Sequence, residues 1–300
     1  MKQALLKTPG QATLYTAALL LSALLTVLLP AGAFALNNSA VETLATKLLG
    51  GYHMFAGEPK PPLMKTGLVC DAAQLPQTLA ITLESHETNT TRALARLDKV
   101  KGAFLCIKHS SKVPHAFTVF VFDKGGLTAE DYPSGDALVV TLATLPPENG
   151  APTIYWDFFA YRNYIMTALR EGKDRIQFYR YKLPQKAAAM MLYNASVLAR
   201  RKSSNPEIFG LLDNNCIMNT LEIPNSIRPD DKQLNAAALP TLAARQLQLK
   251  GMVGAPITVH GDALLNANFD EMLAGRKAFN TSQNEAGPGV ANPQNQEIPE

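Results

Sequence analysis

The segment Leu211-Leu-Asp-Asn-Asn-Cys-Ile-Met-Asn-Thr-Leu221 holds the residue best placed to do chemistry, Cys216. Asp213, Asn214 and Asn215 are all good helix N-caps, and the residues after them have short helical character, so Cys216 is predicted in a first helical turn. There, unpaired N–H groups and the positive end of the helix dipole stabilise a thiolate and lower its pKa. The same N–H groups can receive the negative charge that builds on a carbonyl oxygen under thiolate attack. The plainer alternative is a cysteine buried as a small hydrophobe.

A thiol nucleophile needs a base, and the chain offers five histidines. His53 and His86 fall in polar or loop-rich stretches, His109 precedes Ser110-Ser111 at a turn, and His260 ends a short strand. His115 differs, because it opens the run HAFTVFVF directly after Pro114. A histidine fixed at a strand end suits a general base; a sheet-edge histidine with no role is the alternative. No His, Cys, Asp or Glu cluster has zinc spacing, and neither a Gly-rich phosphate loop nor a G-x-S-x-G elbow occurs, so no metal or cofactor is expected.

The elements that must position these groups divide the chain. Runs at 78–84, 102–108, 115–122 and 136–143 read as strands of an antiparallel meander, with Asp123-Lys-Gly-Gly as a turn and a helix expected within 85–101. Beyond Pro146-Pro147, helical spacing predicts helices at 157–171, 184–202, 231–249 (kinked or divided at Pro240) and 262–278. Between them RIQFYRYK, at 175–182, alternates like an edge strand with one wet face carrying Arg175, Gln177, Arg180 and Lys182. A short helix is expected at 40–49, and the Asn-, Gln-, Pro- and Gly-rich end from 280 to 300 reads as a disordered tail.

This layout resembles the Lnb N-terminal periplasmic domain family of exported bacterial proteins. The resemblance rests on His115-Ala-Phe, on the Arg- and Tyr-rich strand from Arg175, on the helix at 185–202, and on Phe209-Gly-Leu-Leu-Asp-Asn-Asn-Cys216. It spans residues 100–225, and it departs from the family pattern at Pro114 and Ile217. It implies an α+β fold of the papain-like, NlpC-like kind in permuted order, a small antiparallel sheet packed on helices. Cys216 would then be nucleophile and His115 base, with Asp136, at the start of the following strand, orienting the imidazole. Asn215 would cap the helix. The implied activity is hydrolysis or acyl transfer at an amide or ester of peptidoglycan or of an envelope lipid or lipoprotein. The rival is a catalytically silent envelope module of the same fold, which Pro114 favours.

The N-terminus supplies the address. Lys2 and Lys7 precede an apolar run from Leu14 to Leu29, Pro30 and Gly32 break it, and Ala33-Phe34-Ala35 offers a signal-peptidase site. Residues 1–35 are therefore expected to be an export signal, leaving a single domain over 36–279 with a helical extension at 226–279. Retained as an anchor, the uncharged run would hold the protein to the inner membrane through residues 11–36; otherwise the protein is periplasmic. Loss of Lys2 and Lys7 lowers the formal charge from +3 to +1, which gives no electrostatic case for nucleic acid. Cys70, Cys106 and Cys216 cannot all pair within one chain. In an oxidising compartment one disulfide and one free thiol are expected, with Cys70–Cys106 the favoured pair and Cys216 unpaired.

Overall fold

A computed structural model describes residues 75–84, 90–109, 114–129, 132–145, 152–172, 175–210, 214–228, 233–234 and 239–275. The expected export signal, the helix at 40–49, Cys70, His53, His86 and the tail from 280 lie outside the described residues.

The centre is a seven-stranded sheet in which every pairing is antiparallel. Along the chain its strands are β3 (Val100–His109), β4 (His115–Phe122), β7 (Ala137–Leu145), β8 (Thr153–Ala160), β9 (Arg175–Arg180), β10 (Glu207–Ile208) and β11 (Ile257–His260). Their order across the sheet is β10-β8-β7-β4-β3-β9-β11. A second sheet joins β1 (Thr78–Glu84), β2 (Thr90–Arg96), β5 (Leu127–Ala129) and β6 (Tyr132–Gly135) in the order β1-β2-β5-β6. The protein is thus α+β, built on two antiparallel sheets.

VKGAFLCIKH and HAFTVFVF are central because both are apolar on both faces, as a strand covered from two sides requires. Alternation sends Leu105, Ile107, Ala116, Phe120, Leu138 and Val140 to one core. There they meet β1 and helices α2 (Gln185–Ser204), α3 (Cys216–Asn225) and α4 (Pro240–Leu249). Phe104, Cys106, Phe117, Val119 and Val139 go to the other core. That core is closed by α1 (Tyr161–Arg170) and by the short helix α5 (Phe269–Leu273). Phe104, Phe117, Phe120 and Phe178 are completely buried, each worth about 1.5–3 kcal/mol relative to exposure.

Several expectations are corrected. TRALAR is strand β2 rather than helix, pairing along its whole length with β1. Residues 157–160 finish strand β8, so α1 begins only at Tyr161. Pro240 starts α4 instead of kinking it, in the first turn where a missing N–H costs nothing. Of the stretch 262–278, the described residues to 275 form a 3-10 turn followed by the five-residue α5. RIQFYR lies between β3 and β11 and is no edge strand. The C-terminal extension is not purely helical, since it supplies β11. The Asp123–Gly126 turn is as expected, with Gly125 at φ 72° and Gly126 N–H donating to the Asp123 carbonyl at 2.8 Å. Cys106 is a free, wholly buried thiol in the second core, and Cys70, its favoured partner, lies outside the described residues.

Candidate thiol site

Cys216 is the first residue of α3, as the sequence predicts. Asn215 is its N-cap: the backbone is extended there, and the side-chain oxygen accepts the N–H groups of Ile217 and Met218, each at 3.1 Å. A second set of side chains ties this corner down. The buried Lys202 of α2 reaches Glu207 at 3.0 Å and Glu222 at 3.2 Å. Glu207 accepts from Asn214 Nδ2 at 3.1 Å, and Asn214 Oδ1 accepts from Asn219 Nδ2 at 2.8 Å. Nothing in the local sequence pattern marks this network, because its members come from α2, β10, the loop residue Asn214 and α3.

The thiol is aimed at the start of β4. Cys216 Sγ accepts the Ala116 N–H at 3.4 Å, and Thr220 Oγ1 donates to the Ala116 carbonyl at 3.3 Å. Both backbone groups of one residue point to the same side of an antiparallel strand. The β4–β7 ladder begins at Phe117↔Thr141, so α3 occupies the edge of β4 just beyond the point where β7 parts from it.

His115, the residue before Ala116, is half-buried. Its Nε2 lies 2.7 Å from Thr141 Oγ1, and its ring stacks on Phe117 with centroids 6.3 Å apart. Lys108 stands opposite His115 in the β3–β4 register, with Nζ 4.6 Å from the centre of the Tyr164 ring. Structure therefore brings together Cys216, the His115 backbone and three groups that sequence reasoning missed: Thr141, Lys108 and Tyr164.

Asp136 is not among them. Its carbonyl accepts the N–H of Phe122, at the far end of the eight-residue β4. That places it about 23 Å from His115 at ~3.3 Å per residue, too far to orient the ring. A side chain that does engage the imidazole is Thr141, through its hydroxyl. The other described histidines stand elsewhere: His109 Nε2 pairs with Gln177 Oε1 at 2.9 Å, and His260 is exposed at the end of β11.

Comparison with protein families, with characterised proteins and with solved structures finds no match to the chain.

The electrostatics correct one further expectation. Burial pushes the Cys216 thiol up, not down. Hydrogen bonds from the N–H groups of Ala116, Ile217 and Cys216 itself, and the charge of Lys108, pull the other way without winning. The helix N-terminus acts as predicted, but desolvation is the larger effect. Burial likewise raises the Tyr164 hydroxyl, with Thr141 opposing and the sulfurs of Cys106 and Cys216 adding. A protonated thiol at rest can act as a nucleophile only if a neighbouring base takes its proton.

Proposed function

We propose that this is an exported thiol hydrolase or acyltransferase, papain-like in permuted order, with Cys216 as nucleophile and His115 as base. The observation that carries the reading is the 3.4 Å contact between Cys216 Sγ and the Ala116 N–H, which holds the thiol beside the backbone of His115. The thiol proton passes to the His115 imidazole. Sulfur then bonds to the substrate carbonyl carbon, and the developing oxyanion is met by the Cys216 N–H at the α3 N-terminus, those of Ile217 and Met218 serving the Asn215 cap. The imidazolium proton goes to the leaving amine or alcohol as its bond to carbon breaks. Water, or a second acceptor, attacks the thioester, loses its proton to His115, and frees the thiol. The expected export segment at residues 1–35 directs this chemistry to the envelope. Stem-peptide amides of peptidoglycan and acyl esters of envelope lipids or lipoproteins are the substrate classes.

The raised thiol pKa favours a second reading, a silent interaction module that keeps the fold without the activity. Alkylation of Cys216 by iodoacetamide, followed against pH in the wild type and in His115→Ala, separates the two. The enzyme reading expects the titration of Cys216 to move when the imidazole is removed. Identical curves support the silent module.

A further inference from the structure

We propose that Arg175 and Gln177 of β9, with His260 of β11, form a subsite for a free carboxylate of the peptide whose amide Cys216 attacks. This rests on the thiol-site reading above and chooses the peptide from its two substrate classes.

Strand β9 is internal to the sheet, yet one of its faces is wet at one end. Along that face Tyr179 is buried, Gln177 half-buried and Arg175 exposed. Arg175 stands in direct register with His109 of β3 on one side and with the exposed His260 of β11 on the other. Directly opposed residues share a face, so the three basic side chains form one row. Tyr179 belongs to the core that α2, α3 and α4 cover, so the row lies on the same side of the sheet as the helix that carries Cys216. Arg180 turns to the opposite face and donates to the Leu273 carbonyl.

Hydrogen bonds fix the row from its buried end. Gln177 Oε1 accepts the Tyr179 hydroxyl at 3.2 Å and lies 2.9 Å from His109 Nε2. Both lone pairs of that oxygen are thereby used, and the Gln177 amide nitrogen keeps its donors for an incoming oxygen. Burial pushes the Tyr179 hydroxyl up and the charge of Arg175 pulls it back, which places the guanidinium near this pair. Among the described residues Arg175 has no acidic partner, and Asp262, in the 3-10 turn after β11, forms no ion pair with Arg175 or His260. A guanidinium takes a carboxylate through two parallel N–H···O bonds, and its single charge matches that of the ligand.

The span from the thiol selects the peptide. Ala116, whose N–H meets the Cys216 sulfur, is opposite Ile107, and Ile107 is opposite Gln177. Two strand spacings make about 10 Å, and the step of two residues on to Arg175 brings the separation to about 12 Å. An extended peptide covers that distance in about four residues. An acyl ester of a phospholipid does not, because bond lengths hold its carbonyl within about 7 Å of its phosphate.

The test titrates three probes into the full chain: N-acetyl-tetra-alanine as the free acid, the same peptide as its C-terminal amide, and inorganic phosphate. Wild type and Arg175→Gln are compared by calorimetry and by NMR of the His109 and His260 rings, with thermal unfolding as a folding control. Expected is binding of the free acid at least ~10-fold tighter than the amide, with both rings responding, and a ratio near one in Arg175→Gln. Acid and amide that bind alike, or that both fail to bind, overturn the proposal, as does an acid preference that survives in Arg175→Gln. Phosphate binding at these rings as tightly as the free acid overturns the choice of a carboxylate. The readout needs no turnover. Acid-selective binding without acylation of Cys216 refutes the enzyme reading alone, and acylation without an acid preference refutes this inference alone.

Discussion

Cys216 Sγ and the Ala116 N–H lie 3.4 Å apart, so the thiol is seated on the backbone of the strand that carries His115. One helical turn on, Thr220 donates to the carbonyl of the same alanine at 3.3 Å. Helix α3 therefore finishes the edge of β4 that β7 leaves open, and the sulfur is placed by main-chain geometry.

Thr220→Val keeps the shape of the side chain and removes that donor. The buried Ala116 carbonyl loses its partner, a loss of about 1–3 kcal/mol. Urea unfolding should show a lower midpoint with an unchanged slope; an unaltered midpoint would mean that α3 does not depend on this contact.

Asn215 caps α3 by accepting two N–H groups. Asn215→Ala should destabilise by about 1 kcal/mol, and Asn215→Asp should retain nearly all of the stability. Denaturant melts of the two variants check this, and an equal loss in both would contradict the capping role.

Lys202 is buried between Glu207 and Glu222. Lys202→Met leaves two carboxylates without their cation and should cost about 3–5 kcal/mol. Adding Glu207→Gln and Glu222→Gln should recover much of that loss. A triple variant no more stable than Lys202→Met would show that the charges are not the cause.

The carboxyl of Asp157 ionises at about 7 in the folded chain against 3.8 ordinarily. A raised folded pKa means the proton is held more tightly when folded. The stabilisation is thus fully present below the ordinary value and is lost as pH rises through about 7, with a ceiling of about 4 kcal/mol. Melting temperature should fall across that window in the wild type and vary much less in Asp157→Asn. Parallel profiles for the two proteins would contradict the assignment.

How far the site was legible varies by residue, for physical reasons. Asn215 and Cys216 could be read because a helix cap is a local signal, fixed by neighbours in sequence. His115 could be read as a strand start for the same reason. Thr141 could not, since only the pairing of β4 with β7 brings it to the imidazole. The start of α1 was hidden inside WDFFAYRNY, whose apolar spacing suits a helix although its first residues pair as strand β8. TRALAR failed in the opposite way: Ala, Leu and Arg favour helix, but pairing with β1 and burial of Ala93 and Ala95 override that preference. The lowered thiol pKa was a sound local inference defeated by burial, which no local pattern reports.

The central claim, that Cys216 is a nucleophile served by His115, is tested most directly by trapping an acyl group. The full chain is exposed to an activated acyl ester, and the modified residue and its rate of formation are read by mass spectrometry. Expected are a single acyl adduct on Cys216, none on the buried Cys106, and a rate at least ~100-fold lower in His115→Ala. No adduct on Cys216, or one that forms equally fast without His115, would contradict it.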